Sequence, residues 1–150
     1  DRHDALRLQK SIKKHNFKKS MRNQKEKHKK QEIYQIPRNP NIKQILNDYI
    51  TTNKLEGKHK MMIGDVKEAF NILLPIKLLF NYEKKQLDEV LKMHEQDTPD
   101  LTTYYGIEHL YRLITQLPHH VYFNRDDEVN LELFEKEIEN LLNFLETNEY

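Results

Sequence analysis

Residues 65–91 read DVKEAFNILLPIKLLFNYEKKQLDEVL, and the run Ala69–Phe80 inside them decides the fold. Nine of its twelve residues are apolar, the exceptions being Asn71, Pro75 and Lys77. On a helix these apolar residues occupy every face, so the segment is expected to be covered by protein on most sides. It is shorter than the about 20 apolar residues a membrane span needs. The run therefore reads as a core element, and the amphipathic segments on either side read as its wrapping.

Asp65 reads as a helix cap, with Val66, Phe70, Leu73 and Leu74 on the inner face that follows. Pro75 removes a backbone donor and crowds the preceding turn, so a break or kink is expected there. A further helix is expected from about Tyr82 to His94, with Leu87, Val90 and Leu91 inward. Upstream, Asn41 is a capping residue. Ile42, Ile45, Leu46, Tyr49 and Ile50 follow it at i, i+3, i+4, i+7 and i+8, one apolar stripe. Residues 53–63 are largely polar, contain Gly57 and read as a loop. Downstream, residues 95–103 read as a loop. Ile107, Leu110, Tyr111, Ile114 and Leu117 keep a helical period that Pro118 ends. Residues 119–127 read as a connector. Leu131, Phe134, Ile138, Leu141, Leu142 and Leu145 form the stripe of a last helix over about 128–148. The expectation is an all-α domain of about five helices spanning 33–150.

Composition supports this. Three Gly in 150 residues argue against a turn-rich β fold. There is no Cys, so no disulfide framework and no thiolate chemistry. The formal net charge of +1 conceals an asymmetry. Residues 1–32 carry 12 Lys or Arg against 4 Asp or Glu, while residues 33–150 carry 13 against 20. The first segment is thus a basic arm, net +8, on a body of net −7. Ala5, Leu8 and Ile12 fall at helical spacing in the arm, and Phe17 and Met21 lie four apart. The arm reads as partly disordered or helical. Lys13, Lys14, Lys18, Lys19 and Arg22 are its candidate nucleic-acid contacts, through salt-dependent phosphate neutralisation.

Sites for chemistry are sparse. The eight His include no His-x-x-x-His or His-Glu-x-x-His spacing. No glycine-rich phosphate loop occurs, and both Ser, Ser11 and Ser20, sit in the arm. His109 and Arg112 are three apart and share a helix face, a candidate polar site, although a helix needs polar residues opposite its apolar stripe in any case. No catalytic residue, metal site or cofactor is expected, and an enzyme is not the leading reading. An apolar groove is the better candidate. Phe80 and Tyr82 mark the junction of two helices, where ligand clefts are common.

Three segments together carry a family resemblance: QEIYQIPRNPNIKQILNDYI (31–50), FNILLPIKLLFNYEKKQLDEVL (70–91) and YYGIEHLYRLITQLP (104–118). They resemble the MRG domain, the helical domain of the MORF4-related chromatin proteins. The most specific piece is Tyr105-Gly106, His109-Leu110 and Arg112-Leu113. Leu74-Pro75 before Leu78-Leu79, with Tyr82-Glu83 after, is most similar to the MRG subunit of the male-specific lethal complex, a dosage-compensation assembly. The resemblance implies a non-catalytic nuclear adaptor of a histone acetyltransferase or deacetylase complex. A short apolar peptide from a protein partner would dock at Phe80, Tyr82, Glu83, Leu87 and Met21, and the arm would add nucleosome or DNA contact, with no membrane role. Phe80 and Leu87 stand where the family has tyrosines. Arg22, Asn23 and Gln24 stand near the family's acidic pair and aromatic residue. Members often carry a chromo-barrel whose methyl-lysine cage needs clustered aromatics. With no Trp, and only Phe17 aromatic before residue 34, these 150 residues are expected to hold none. The alternative reading is a basic-tailed nucleic-acid-binding protein whose helical body is a carrier.

Overall fold

The structure, a computed structural model, describes residues 33–117, 128–148 and 150. The side chains of 128–131 are outside that description. So are the arm contacts Lys13, Lys14, Lys18, Lys19, Met21 and Arg22, the 119–127 connector, and the Leu131 side chain.

Among the described residues the fold is all-α, with five α-helices: α1 Ile42–Thr52, α2 Gly57–Leu73, α3 Lys84–Met93, α4 Ile107–Gln116 and α5 Glu128–Asn148. None is long and apolar enough to cross a membrane. The capping expectation at α1 holds: Gln44 N–H donates to Asn41 Oδ1 and Asn41 N–H donates to Gln44 Oε1, both at 2.8 Å. Ile42, Ile45, Leu46 and Tyr49 turn inward.

The start of α2 corrects the sequence reading. Residues 57–63 are helical, and Asp65 lies within the helix rather than capping it. Met62, Ile63, Val66, Ala69, Phe70 and Leu73 form one buried helical stripe, which begins before Asp65. Gly57 makes the turn expected of it, at φ +55°, but the helix follows at once.

Pro75 breaks α2 as expected. Residues Leu74–Leu78 form a π-helical turn with Pro75 in its first positions, and Leu79 is extended. The expectation that protein covers this run on most sides fails. Phe70, Leu73, Leu74 and Leu78 are buried, but Ile72 is 47% and Ile76 67% exposed. A run this apolar has no period from which the outward face could be read. Leu91, expected inward, is 42% exposed, whereas Leu87 and Val90 of α3 are buried.

The core joins all five helices, with Phe134, Ile138, Leu141, Leu142 and Leu145 of α5 closing it. Each fully buried Leu, Ile or Phe contributes about 1.5–3 kcal/mol of transfer free energy. Residues 33–41 hold no helix, and backbone bonds pin them to the segment before α4: Arg38 N–H to Tyr104 O at 2.9 Å and Ile42 N–H to Tyr105 O at 2.8 Å. Gly106 makes this approach possible. A Cβ there would lie 3.0 Å from Arg38 Cβ and 3.3 Å from the Pro40 carbonyl.

Candidate partner-docking site

The break at Pro75 determines where Phe80 goes. After the π turn the chain runs extended through Leu79 and Phe80 into a 3-10 turn at Asn81–Glu83, and α3 follows. Glu83 folds back on this corner. Its Oε1 accepts the Phe80 N–H at 2.8 Å, and its own N–H donates to the Phe80 carbonyl at 2.9 Å.

Glu83 is buried, and α4 supplies what a buried carboxylate requires. Arg112 Nη1 donates to Glu83 Oε1 at 2.6 Å and to the Leu78 carbonyl at 2.8 Å. His109 Nε2 lies 3.1 Å from Glu83 Oε2. Burial alone would raise the Glu83 pKa. The hydrogen bonds from His109 and Arg112, with the Arg112 charge, overcome it and hold the carboxyl at about 2. Burial pushes the His109 imidazole down, with Glu83 opposing. His109 is therefore neutral, and its Nε2–H donates to Glu83. His109 Nδ1 and Tyr105 Oη have no partner among the described residues. His109 and Arg112 do share a face, but His109 is buried on Glu83 and not merely on a polar side opposite the apolar stripe.

Above this network lies an aromatic pair. The Arg112 guanidinium carbon sits 4.4 Å from the Phe80 ring centroid, a cation–π distance. Tyr82 stacks on Phe80 at 5.7 Å with 25° between planes. Phe80 and Tyr82 are both partly exposed. Leu87 lies in the core one turn beyond Glu83, so neither it nor Glu83 presents a surface. Of the predicted residues, the structure thus brings Phe80, Tyr82 and Glu83 together. Arg112 and His109, which sequence reasoning did not place here, complete the corner. Their i, i+3 spacing is visible in the sequence, but their partner lies 26 and 29 residues away.

A second buried carboxylate lies elsewhere in the molecule. Glu137 of α5 accepts the Tyr49 hydroxyl of α1 and pairs with His59 Nδ1 of α2 at 2.8 Å. Among the described residues no group of three His, Asp or Glu could hold a metal ion.

An all-α domain with this corner, and with Tyr105-Gly106 and His109 to Leu113 at its centre, belongs to a known class. The MRG family model matches residues 9–150, and the chain is a member of the MRG family. The match begins inside the basic segment. Among curated proteins, the chain is similar to the NuA4 complex subunit EAF3 homolog of Dictyostelium discoideum, 33% identical over 116 residues, which are 77% of this chain and 30% of that protein. It is 28% identical over 127 residues to mortality factor 4-like protein 2 of Homo sapiens, covering 80% of this chain and 43% of the relative. Mortality factor 4-like protein 1 of Pongo abelii is 28% identical over the same length, with 80% and 39% covered. The chain spans less than half the length of each of these relatives.

Proposed function

We propose that this chain is a non-catalytic adaptor of a nuclear, histone-modifying chromatin complex, docking a short apolar segment of a partner protein at Phe80 and Tyr82. Family membership and the NuA4 name of one relative support the coarse part of this reading. The observation that carries the site is the anchoring of Phe80. The buried Glu83 carboxylate, itself held by Arg112, accepts the Phe80 N–H and the Glu83 N–H donates to the Phe80 carbonyl, while the Phe80 ring stays partly exposed. A pre-ordered aromatic at a surface is the form an interface hot spot takes, and truncating one costs about 2 kcal/mol or more of binding, roughly thirtyfold. Membership in the male-specific lethal assembly rests only on the residues around Leu74-Pro75 and Tyr82-Glu83. The test is co-purification from nuclear extract with the parent chain and with Phe80→Ala. The expected outcome is loss of histone acetyltransferase or deacetylase subunits with the variant while its fold is kept. Equal recovery by both proteins refutes the site.

The charge of residues 1–32 supports the second reading, a nucleic-acid-binding arm on a helical carrier. Neutralising Lys13, Lys14, Lys18, Lys19 and Arg22 to Gln separates the two. The adaptor reading keeps partner capture in that variant, and the carrier reading loses all activity.

A further inference from the structure

The α1–α2 seam carries a strip of lysines that the peptide-docking reading does not use. On α2, Lys60, Gly64, Lys67 and Asn71 follow at intervals of four, three and four, which is one helix face. On α1, Lys43 and Asn47 lie one turn apart. The two faces meet where Lys67 Nζ donates to Asn47 Oδ1 at 3.2 Å. Lys43, Lys60 and Gly64 are exposed, and Lys67 is partly so. These ammonium groups are close enough to repel. Burial holds Lys67 below the ordinary lysine range, the charges of Lys43 and Lys60 add to this, and Asp100 opposes it. Asp100 sits at the end of the strip, bonded to Asn71 and Thr102. Glu68 follows Gly64 by four residues and flanks the strip, whereas Asp65 lies on a different face of α2. A local group of cations raises the concentration of an anionic ligand at that surface.

Gly64 is a second, independent observation. It sits mid-helix between Lys60 and Lys67, where glycine is a poor helix former. A Cβ on it would meet nothing within 4 Å, and its φ is not in the left-handed range. Neither packing nor backbone conformation requires glycine here. What the missing side chain does provide is close approach of another backbone to the helix.

We infer that Lys43, Lys60 and Lys67, with Gly64 between them, form a contact strip for the phosphate backbone of DNA on the folded body, separate from the basic arm. The spacing suits this ligand. Lys60 and Lys67 are about 10 Å apart along the axis at 1.5 Å per residue. Phosphates on one DNA strand recur every 3.4 Å or so along its axis, so such a line of cations can span several. Lysines serve phosphate as point charges. The contact would read no sequence and would position chromatin DNA against the adaptor.

The test is fluorescence anisotropy of the full chain with a short labelled duplex over a salt series. The parent is compared with Lys43→Gln/Lys60→Gln/Lys67→Gln, the arm being intact in both. The triple variant is expected to lower the slope of log affinity against log salt by about 2 to 3, each phosphate it leaves unneutralised accounting for about 0.9. Gly64→Gln is expected to weaken duplex binding while its melting temperature is unchanged or higher. Should the triple variant fail to fold, exposed Lys60→Gln alone carries the test, with a slope change of about 0.9. An unchanged slope overturns the inference, as does a parent that binds no duplex. It is equally overturned if the variant keeps duplex binding but loses a polyglutamate peptide, since that marks an acidic-protein site.

Discussion

Glu83 and Glu137 are both buried carboxylates facing a histidine, and their surroundings differ in one decisive way. Glu83 has a permanent cation, Arg112, at 2.6 Å, and its histidine is buried and neutral. Glu137 has the Tyr49 hydroxyl, which burial first and Glu137 second keep protonated, and a His59 about half exposed. One network is sealed and organises a corner that ends in an exposed ring. The other joins α1, α2 and α5 and opens to solvent through His59. A buried carboxylate costs several kcal/mol unless it is paired and hydrogen-bonded, so the two depend on different partners.

Removing those partners one at a time tests the comparison. The largest effect is expected for Arg112→Met, which leaves Glu83 without its permanent cation. Breaking a buried pair in this way costs about 3–5 kcal/mol. A melt should show a fall of about 10 °C for a chain of this size. Acid comes next. Glu83 is depressed in the fold, so its contribution is present above the ordinary 4.5 and lost as pH falls through about 2. That shift is worth on the order of 3 kcal/mol. His109 is also depressed, so its loss begins as pH drops below its ordinary 6.5, in the same direction. Denaturation midpoints measured from neutral pH downward should therefore fall, and in Glu83→Gln the step below 4.5 should shrink. Tyr49→Phe should cost about 1–3 kcal/mol, the penalty for leaving a buried acceptor short of a donor. His59→Ala should cost under about 1 kcal/mol, because its ring is about half in water. Equal losses for His59→Ala and Arg112→Met would erase the distinction between the two networks.

Features governed by local sequence could be read before the structure. The Asn41–Gln44 capping box, the break at Pro75 and the α4 period each need only neighbours in the chain. The onset of α2 was obscured because Gly57 and the polar Lys58, His59 and Lys60 resemble a loop, although Met62 and Ile63 already carry the stripe. The outward turn of Ile72 and Ile76 could not be read from a run that is apolar on every face. The Glu83 corner was half legible. Phe80 and Tyr82 stood out as a junction, but the pairing of Glu83 with His109 and Arg112 is a tertiary contact with no local signature. The lysine strip is similar, since α1 and α2 must pack before Lys43 and Lys67 become neighbours.

The central claim is that the Glu83 corner presents Phe80 outward as an anchor instead of burying it. Phe70, fully buried in the same apolar run, is the internal standard. Chemical denaturation of Phe80→Ala beside Phe70→Ala measures the difference directly. Phe70→Ala should lose about 3–5 kcal/mol, the cost of a cavity at a buried ring. Phe80→Ala should lose about 1 kcal/mol, the scale of its cation–π contact with Arg112, and should lose the partner while folded. Equal losses at the two positions would show that Phe80 is core and would contradict the account.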